Sequence, residues 1–283
     1  MKVKKIVIIL LFISLLFAGY LLNYSKQKKI EKENNFENTV INSNLDSTDN
    51  IIGTSLVVSI YSDDAETNWA TASQDDINNT LNNLKIATDW LTLQVKKYNK
   101  EAKFIYDWQE FDDIKYTSKF ENYNFKENRD GYYFYQRKWI EDNIDVDKLK
   151  KKYQYDNIIF IFLFNMQSAS SFVRSNASNG DVGVFDIINL FVQDEIYTPA
   201  ASYAHEILHT YGAPDLYRIN EYINQDYIDY VDEFRNNDIM YSVNSTKEIT
   251  NIFSDIDAYY VGLIDECDDV TKWNLRKKYT SLE

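Results

Sequence analysis

Residues 198–217 read TPAASYAHEILHTYGAPDLY. Thr198 suits an N-cap and Pro199 a first helical position, so a helix is expected to start there. Gly212 is placed to end it in a left-handed conformation. Within the helix, His205 and His209 stand four apart, on one face and about one turn from each other. Two imidazoles so placed can share a tetrahedral Zn²⁺, and the intervening Glu206 can act on a water at the ion. Such a motif on a surface helix can arise by accident, with the glutamate merely solvated. Against that, the chain contains two histidines and two prolines, and all four lie in this segment. His205 and His209 are therefore expected to ligate one catalytic zinc ion, with Glu206 as the catalytic base.

A catalytic zinc takes three protein ligands and keeps a fourth position open. No third histidine exists and the single cysteine, Cys267, is remote. The missing ligand is then a carboxylate or, less well, a tyrosine. Gly212 lets the chain reverse, so Asp215 can reach back to the ion. Pro-Asp is also common in turns, where Asp215 would serve only the backbone; the geometry implied by the motif favours the ligand role.

The pattern HExxHxxGxxD, from His205 to Asp215, resembles the extended zinc motif of metzincin metallopeptidases, in the version whose third ligand is Asp. AHEILHTYGAPDLY at 204–217 is similar to the HExxHxxGxPDLY segment of immune inhibitor A-like secreted bacterial peptidases. DIMYS at 238–242 resembles the Met-turn that underlies the zinc in metzincins, with Met240 as the methionine, although a core methionine would look the same. SDIDAYYVGL at 254–263 resembles the C-terminal helix of that clan. Tyr241 directly follows Met240, whereas metzincins that set a Met-turn tyrosine on the metal carry it two residues on.

The resemblance covers 198–263 and implies a zinc-dependent endopeptidase acting on extracellular proteins or peptides. The implied fold is a metzincin-like α/β (α+β) domain. It has a mixed twisted sheet with a backing helix and an active-site helix, then a smaller, mainly helical C-terminal lobe. The expected domain spans 51–283, with an upper lobe at 51–212 and a lower lobe at 213–283. Two other readings stand beside the peptidase. One is a non-catalytic surface module with a structural zinc, which would have no need of Glu206. The other is a zinc hydrolase of a cell-wall amide, since the motif specifies metal and water but not the acyl group.

Upstream of the motif, Ser55–Tyr61 is β-branched and short, a strand. Across 75–98, Ile77, Leu81, Leu84, Thr88, Leu91, Val95 and Tyr98 recur at alternating spacings of four and three, one face of a helix capped by Ser73 or Asp75. Residues 103–108 read as a second strand and 109–131 as a polar surface excursion. One helical stretch is expected at 133–153, and the insertion 109–153 has no counterpart in the family. Asn157–Phe164 (NIIFIFLF) is apolar on both faces, a central covered strand. Residues 166–181 read as a loop and Val182–Val192 as a strand. The stretch 180–192 is a candidate sheet edge for an extended substrate, or else plain sheet core.

At the N-terminus, lysines 2, 4 and 5 precede an apolar run from Ile6 to Leu22, followed by lysines 26, 28, 29 and 32. No small-x-small cleavage pattern follows, so 1–25 is expected to be an uncleaved single-span anchor, with a cleaved signal as the alternative. Residues 26–50 are polar and read as a tether. The expected location is the cell membrane with the domain outside, and otherwise secretion. The whole chain carries −14. That repels phosphate backbones, so a nucleic-acid partner is excluded from the expectation. One cysteine excludes an intramolecular disulfide framework, and a monomer is favoured.

Overall fold

The computed structural model describes residues 50–65, 69, 74–107, 111–121, 123, 129–165, 172–174, 186–192, 198–244 and 247–277. The expected anchor, and the tether up to residue 49, lie outside these residues. Among the described residues, no helix is long and apolar enough to cross a membrane.

Six strands form one mixed sheet, and seven helices accompany it among the described residues. The strands are β1 (Gly53–Asp64), β2 (Ala102–Ile105), β3 (Lys115–Phe120), β4 (Asn157–Asn165), β5 (Phe172–Arg174) and β6 (Asp186–Val192). The helices are α1 (Gln74–Lys97), α2 (Arg129–Asn143), α3 (Val146–Tyr153), α4 (Ala200–Thr210), α5 (Gln225–Phe234), α6 (Asp255–Tyr260) and α7 (Asp268–Lys272). The sheet order is β2-β1-β4-β6-β5. β3 runs parallel to β1 over Ser59–Asp64, beyond the end of the β2 pairing at Gly53–Leu56. Only β5 is antiparallel.

Parallel strands need both faces covered, because their crossover helices lie on the faces. Alternation along β1 and β4 supplies two apolar faces. Val57, Tyr61, Ile159, Ile161 and Leu163 point toward α1 and α4, where Leu84, Leu91, Ala204 and Ile207 meet them. Leu56, Val58, Ile60, Phe160 and Phe162 point the other way, toward Ile140 of α2 and Leu149 of α3. β4 is buried throughout Ile158–Phe164, the central covered strand expected from its run of apolar residues.

Several sequence expectations are corrected. The polar excursion at 109–131 contains β3, and α2 and α3 of the insertion cover the second face of the sheet. The single helix expected at 133–153 is two: Asp145 interrupts it, and its carboxylate accepts the Lys148 N–H at 2.9 Å to cap α3. The loop expected at 166–181 contains β5, which pairs with Ile187–Asn189 of β6. Over those residues β6 is therefore not an edge. The apolar stripe of α1 is also rotated: Ile77 and Leu81 are half-buried, while Asp76, Thr80 and Ala87 are buried.

After α4 the regular elements among the described residues are the short helices α5, α6 and α7, and most of this segment is irregular, not the mainly helical lobe expected. The segment does not build a separate core. Leu216, Tyr227, Val231, Ile239, Met240, Ile256 and Tyr260 join the same cluster as α1, α4 and the first face of the sheet. Ile51 N–H donates to Val261 O at 3.0 Å, tying the start of β1 to the end of α6.

Candidate metal centre

The motif helix α4 runs Ala200–Thr210, one residue later than expected. Pro199 occupies the N-cap with extended backbone (φ −67°, ψ 156°) and makes no side-chain cap. Thr198 is instead drawn to α1, its carbonyl accepting from Asn83 Nδ2 at 2.9 Å. The other end matches expectation. Gly212 has φ +97°, Gly212 N–H donates to His209 O at 3.0 Å, and Ala213 N–H donates to Leu208 O at 3.2 Å. That pair of bonds is the Schellman arrangement, which needs a left-handed residue where glycine stands.

This reversal brings Asp215 back to the helix. Its Oδ1 lies 3.1 Å from His209 Nε2 and 3.4 Å from His205 Nε2, and the two Nε2 atoms are 3.1 Å apart. His205, His209 and Asp215 thus form a group that could hold a metal ion. The tautomers follow from the partners. His205 Nδ1 is 2.8 Å from Ile239 O, and His209 Nδ1 is 2.7 Å from Ala213 O. A carbonyl only accepts, so each Nδ1 carries a proton. Each Nε2 is then free to offer its lone pair inward.

Two lone pairs and a carboxylate oxygen facing each other suit a cation among them. Ligands at the ~2.0–2.2 Å distances of zinc, tetrahedrally arranged, stand roughly 3.3 Å apart, which the observed spacings match. The donor set therefore fits zinc. Burial raises the Asp215 carboxyl, but the two histidines outweigh it and hold it well below the usual carboxylate range.

Glu206 is not part of that triad. It is 6% exposed and its Oε2 has no hydrogen-bond partner. Burial pushes its carboxyl up to about 7; His205 and Arg218 pull down and the Asp215 charge pushes up.

Met240 is fully buried, and its turn is bonded to the site on both flanks. Ile239 O orients His205, and Met240 O accepts Leu216 N–H at 2.9 Å, one residue past Asp215. Beneath the turn lie two buried carboxyl groups. Asp238 accepts from Met240 N–H at 2.8 Å and Ser254 Oγ at 2.6 Å; Asp257 accepts from Ser254 N–H at 2.9 Å, so the two carboxyl groups share Ser254. Burial, then the Asp238 charge, raises Asp257 well above the usual carboxylate range. Tyr241 turns outward, its hydroxyl donating to Asp232.

Three participants escape a reading of the motif alone. Arg218 pairs with Asp215 Oδ2, the oxygen that faces away from the histidines. Its position three residues after Asp215 was the available signal. Tyr217 lies against His205, and the carbonyl of Ile239 comes from a segment that no local pattern joins to α4. No family model matches the chain, and no curated protein matches it in sequence.

Proposed function

We propose that the protein is a zinc-dependent metalloendopeptidase of the metzincin type, hydrolysing peptide bonds in extracellular proteins or peptides. The observation that carries this reading is the convergence of three electron-rich atoms next to a buried glutamate whose Oε2 is unpartnered. A structural metal site has no use for such a group, whereas hydrolysis does. Zinc, when bound, supplies Lewis acidity and makes water more acidic, toward a pKa of ~7.

The chain's own residues then have distinct tasks. His205, His209 and Asp215 hold the ion; Ile239 O and Ala213 O hold the imidazoles in the ligating tautomer. Glu206 takes a proton from the water that adds to the scissile carbonyl carbon. It returns that proton to the amine nitrogen as the C–N bond breaks. A carboxyl near pKa 7 is suited to both halves of that exchange at neutral pH. The likeness of 204–217 to secreted bacterial peptidases, and of 238–242 and 254–263 to metzincins, supports peptides as substrates. The basic and apolar N-terminus supports export with a membrane tether.

The test is Glu206→Gln in the full chain. Zinc content should stay at the wild-type level, since Glu206 is not a ligand, while peptide hydrolysis should fall by at least ~10²–10⁴-fold. Equal cleavage of a broad peptide library by both proteins would refute the mechanism. Zinc-loaded wild type that cleaves no peptide would give way to a binding module, or to an amide hydrolase if cell-wall fragments are cut.

A further inference from the structure

We infer that Tyr217 is the residue that meets the substrate at this centre, its phenol donating a hydrogen bond to the scissile carbonyl oxygen. The inference rests on the peptidase reading above and adds a group to it. Around the triad, His205, Glu206 and Asp215 are buried. Tyr217, in contrast, is 47% exposed, so it is open to an arriving chain. Its ring lies nearly parallel to that of His205, with centroids 6.4 Å apart and planes 22° off. Tyr217 follows Asp215 by two positions, and its ring stays beside the His205 imidazole of the triad. A peptide arriving at the triad from solvent therefore meets an exposed phenol beside His205.

The segment is held in place rather than free to swing. Leu216, the preceding residue, is buried and bonded to Met240 O. Asn220 Nδ2 donates to Asp215 O at 2.8 Å and to Arg218 O at 3.2 Å. The Arg218 guanidinium sits 5.7 Å from the centre of the Tyr217 ring while bound to Asp215. Tyr241, the other tyrosine near the turn, spends its hydroxyl on Asp232 at the surface.

The chemistry balances without proton loss from Tyr217. Water oxygen bonds to the carbonyl carbon, the C=O π pair moves onto oxygen, and Glu206 accepts the water proton. The phenol O–H shortens its hydrogen bond to that oxygen as negative charge gathers there, then relaxes as C=O reforms and the amine leaves. A fixed donor aimed at a developing oxyanion acts mainly on the transition state.

The experiment compares wild type, Tyr217→Phe and Tyr241→Phe as full chains. Three quantities are read: zinc content after dialysis, steady-state peptide hydrolysis, and calorimetric binding of a phosphinic peptide, whose anionic oxygen imitates the tetrahedral stage. Tyr217→Phe should keep its zinc, keep KM, lose about 10²-fold in kcat and bind the phosphinate correspondingly more weakly. Tyr241→Phe should match wild type in all three. Loss of zinc from Tyr217→Phe would make Tyr217 a prop for Asp215 and overturn the inference. Unchanged kcat and phosphinate affinity would overturn it as well. Failure of the peptidase reading looks different: zinc-loaded wild type would itself neither cleave peptides nor bind the phosphinate, and Tyr217 would lose its role with it.

Discussion

Asp215 divides its two oxygens between two sets of partners. Oδ1 faces the imidazoles, while Oδ2 is taken by Arg218, whose side chain is 67% exposed. The bond to Arg218 fixes the rotation of the carboxylate and so aims Oδ1. Removing an outer-shell partner of this kind typically costs 10–100-fold in metal affinity. Arg218→Ala should fall in that range in a zinc-competition titration, whereas Asp215→Ala, which removes the ligand itself, should lose more than ~100-fold. Equal losses in the two variants would mean that Asp215 serves only to hold Arg218 and that the third ligand is another group.

At the scale of elements, the turn around Met240 is held from below by the Asp238–Asp257 pair at the start of α6. The groups facing that pair are Ser254, Arg235 at the end of α5, and Tyr227; Arg235 is itself paired with Asp269. Asp257 has a folded pKa raised above its unfolded value of ~3.9, so its contribution to stability is present below that value. The contribution is lost as pH rises through the folded pKa, when the pair must hold two buried negative charges. Asp257→Asn is neutral beside Asp238 at every pH. Its melting temperature should therefore decline less between pH 5 and pH 8 than that of wild type. An equal or steeper decline would show that the pair does not hold a proton.

The elements also show where sequence reading stops. β4 was legible because seven consecutive apolar residues admit little else, and the end of α4 because Gly212 is the residue a left-handed cap requires. β5 and β3 were hidden: FVR and KYTSKF carry weak local signals, and their strand conformation comes from the neighbouring β6 and β1. Asp145 was overlooked because the helical period continues across it. Within the site, His205, Glu206, His209 and Asp215 follow from spacing. Tyr217 and the Ile239 carbonyl depend on tertiary contacts that spacing does not encode.

For the molecule as a whole, one hydrophobic cluster runs from the sheet through α1 and α4 into the segment after Gly212. The two lobes expected from the motif thus share a core across the metal-bearing helix, and they should unfold together. Trp139 reports on the second face of the sheet and Trp273 on the C-terminal helices. Zinc at 100 times its dissociation constant adds about 2.7 kcal/mol, so chelation should lower the melting temperature by roughly 5–10 °C in a domain of this size. Circular dichroism and tryptophan fluorescence should trace one coincident transition with and without metal. Two separated transitions would show that the lobes are independent.

His205 takes its orientation from Ile239, 34 positions further along the chain. During synthesis, α4 and Asp215 leave the ribosome while that carbonyl is still being added. A nascent chain thus possesses every ligand atom before it possesses the lock that turns the first imidazole to its ligating face. The arrangement of His205, His209 and Asp215 is therefore complete only when the segment around Met240 has docked, late in synthesis.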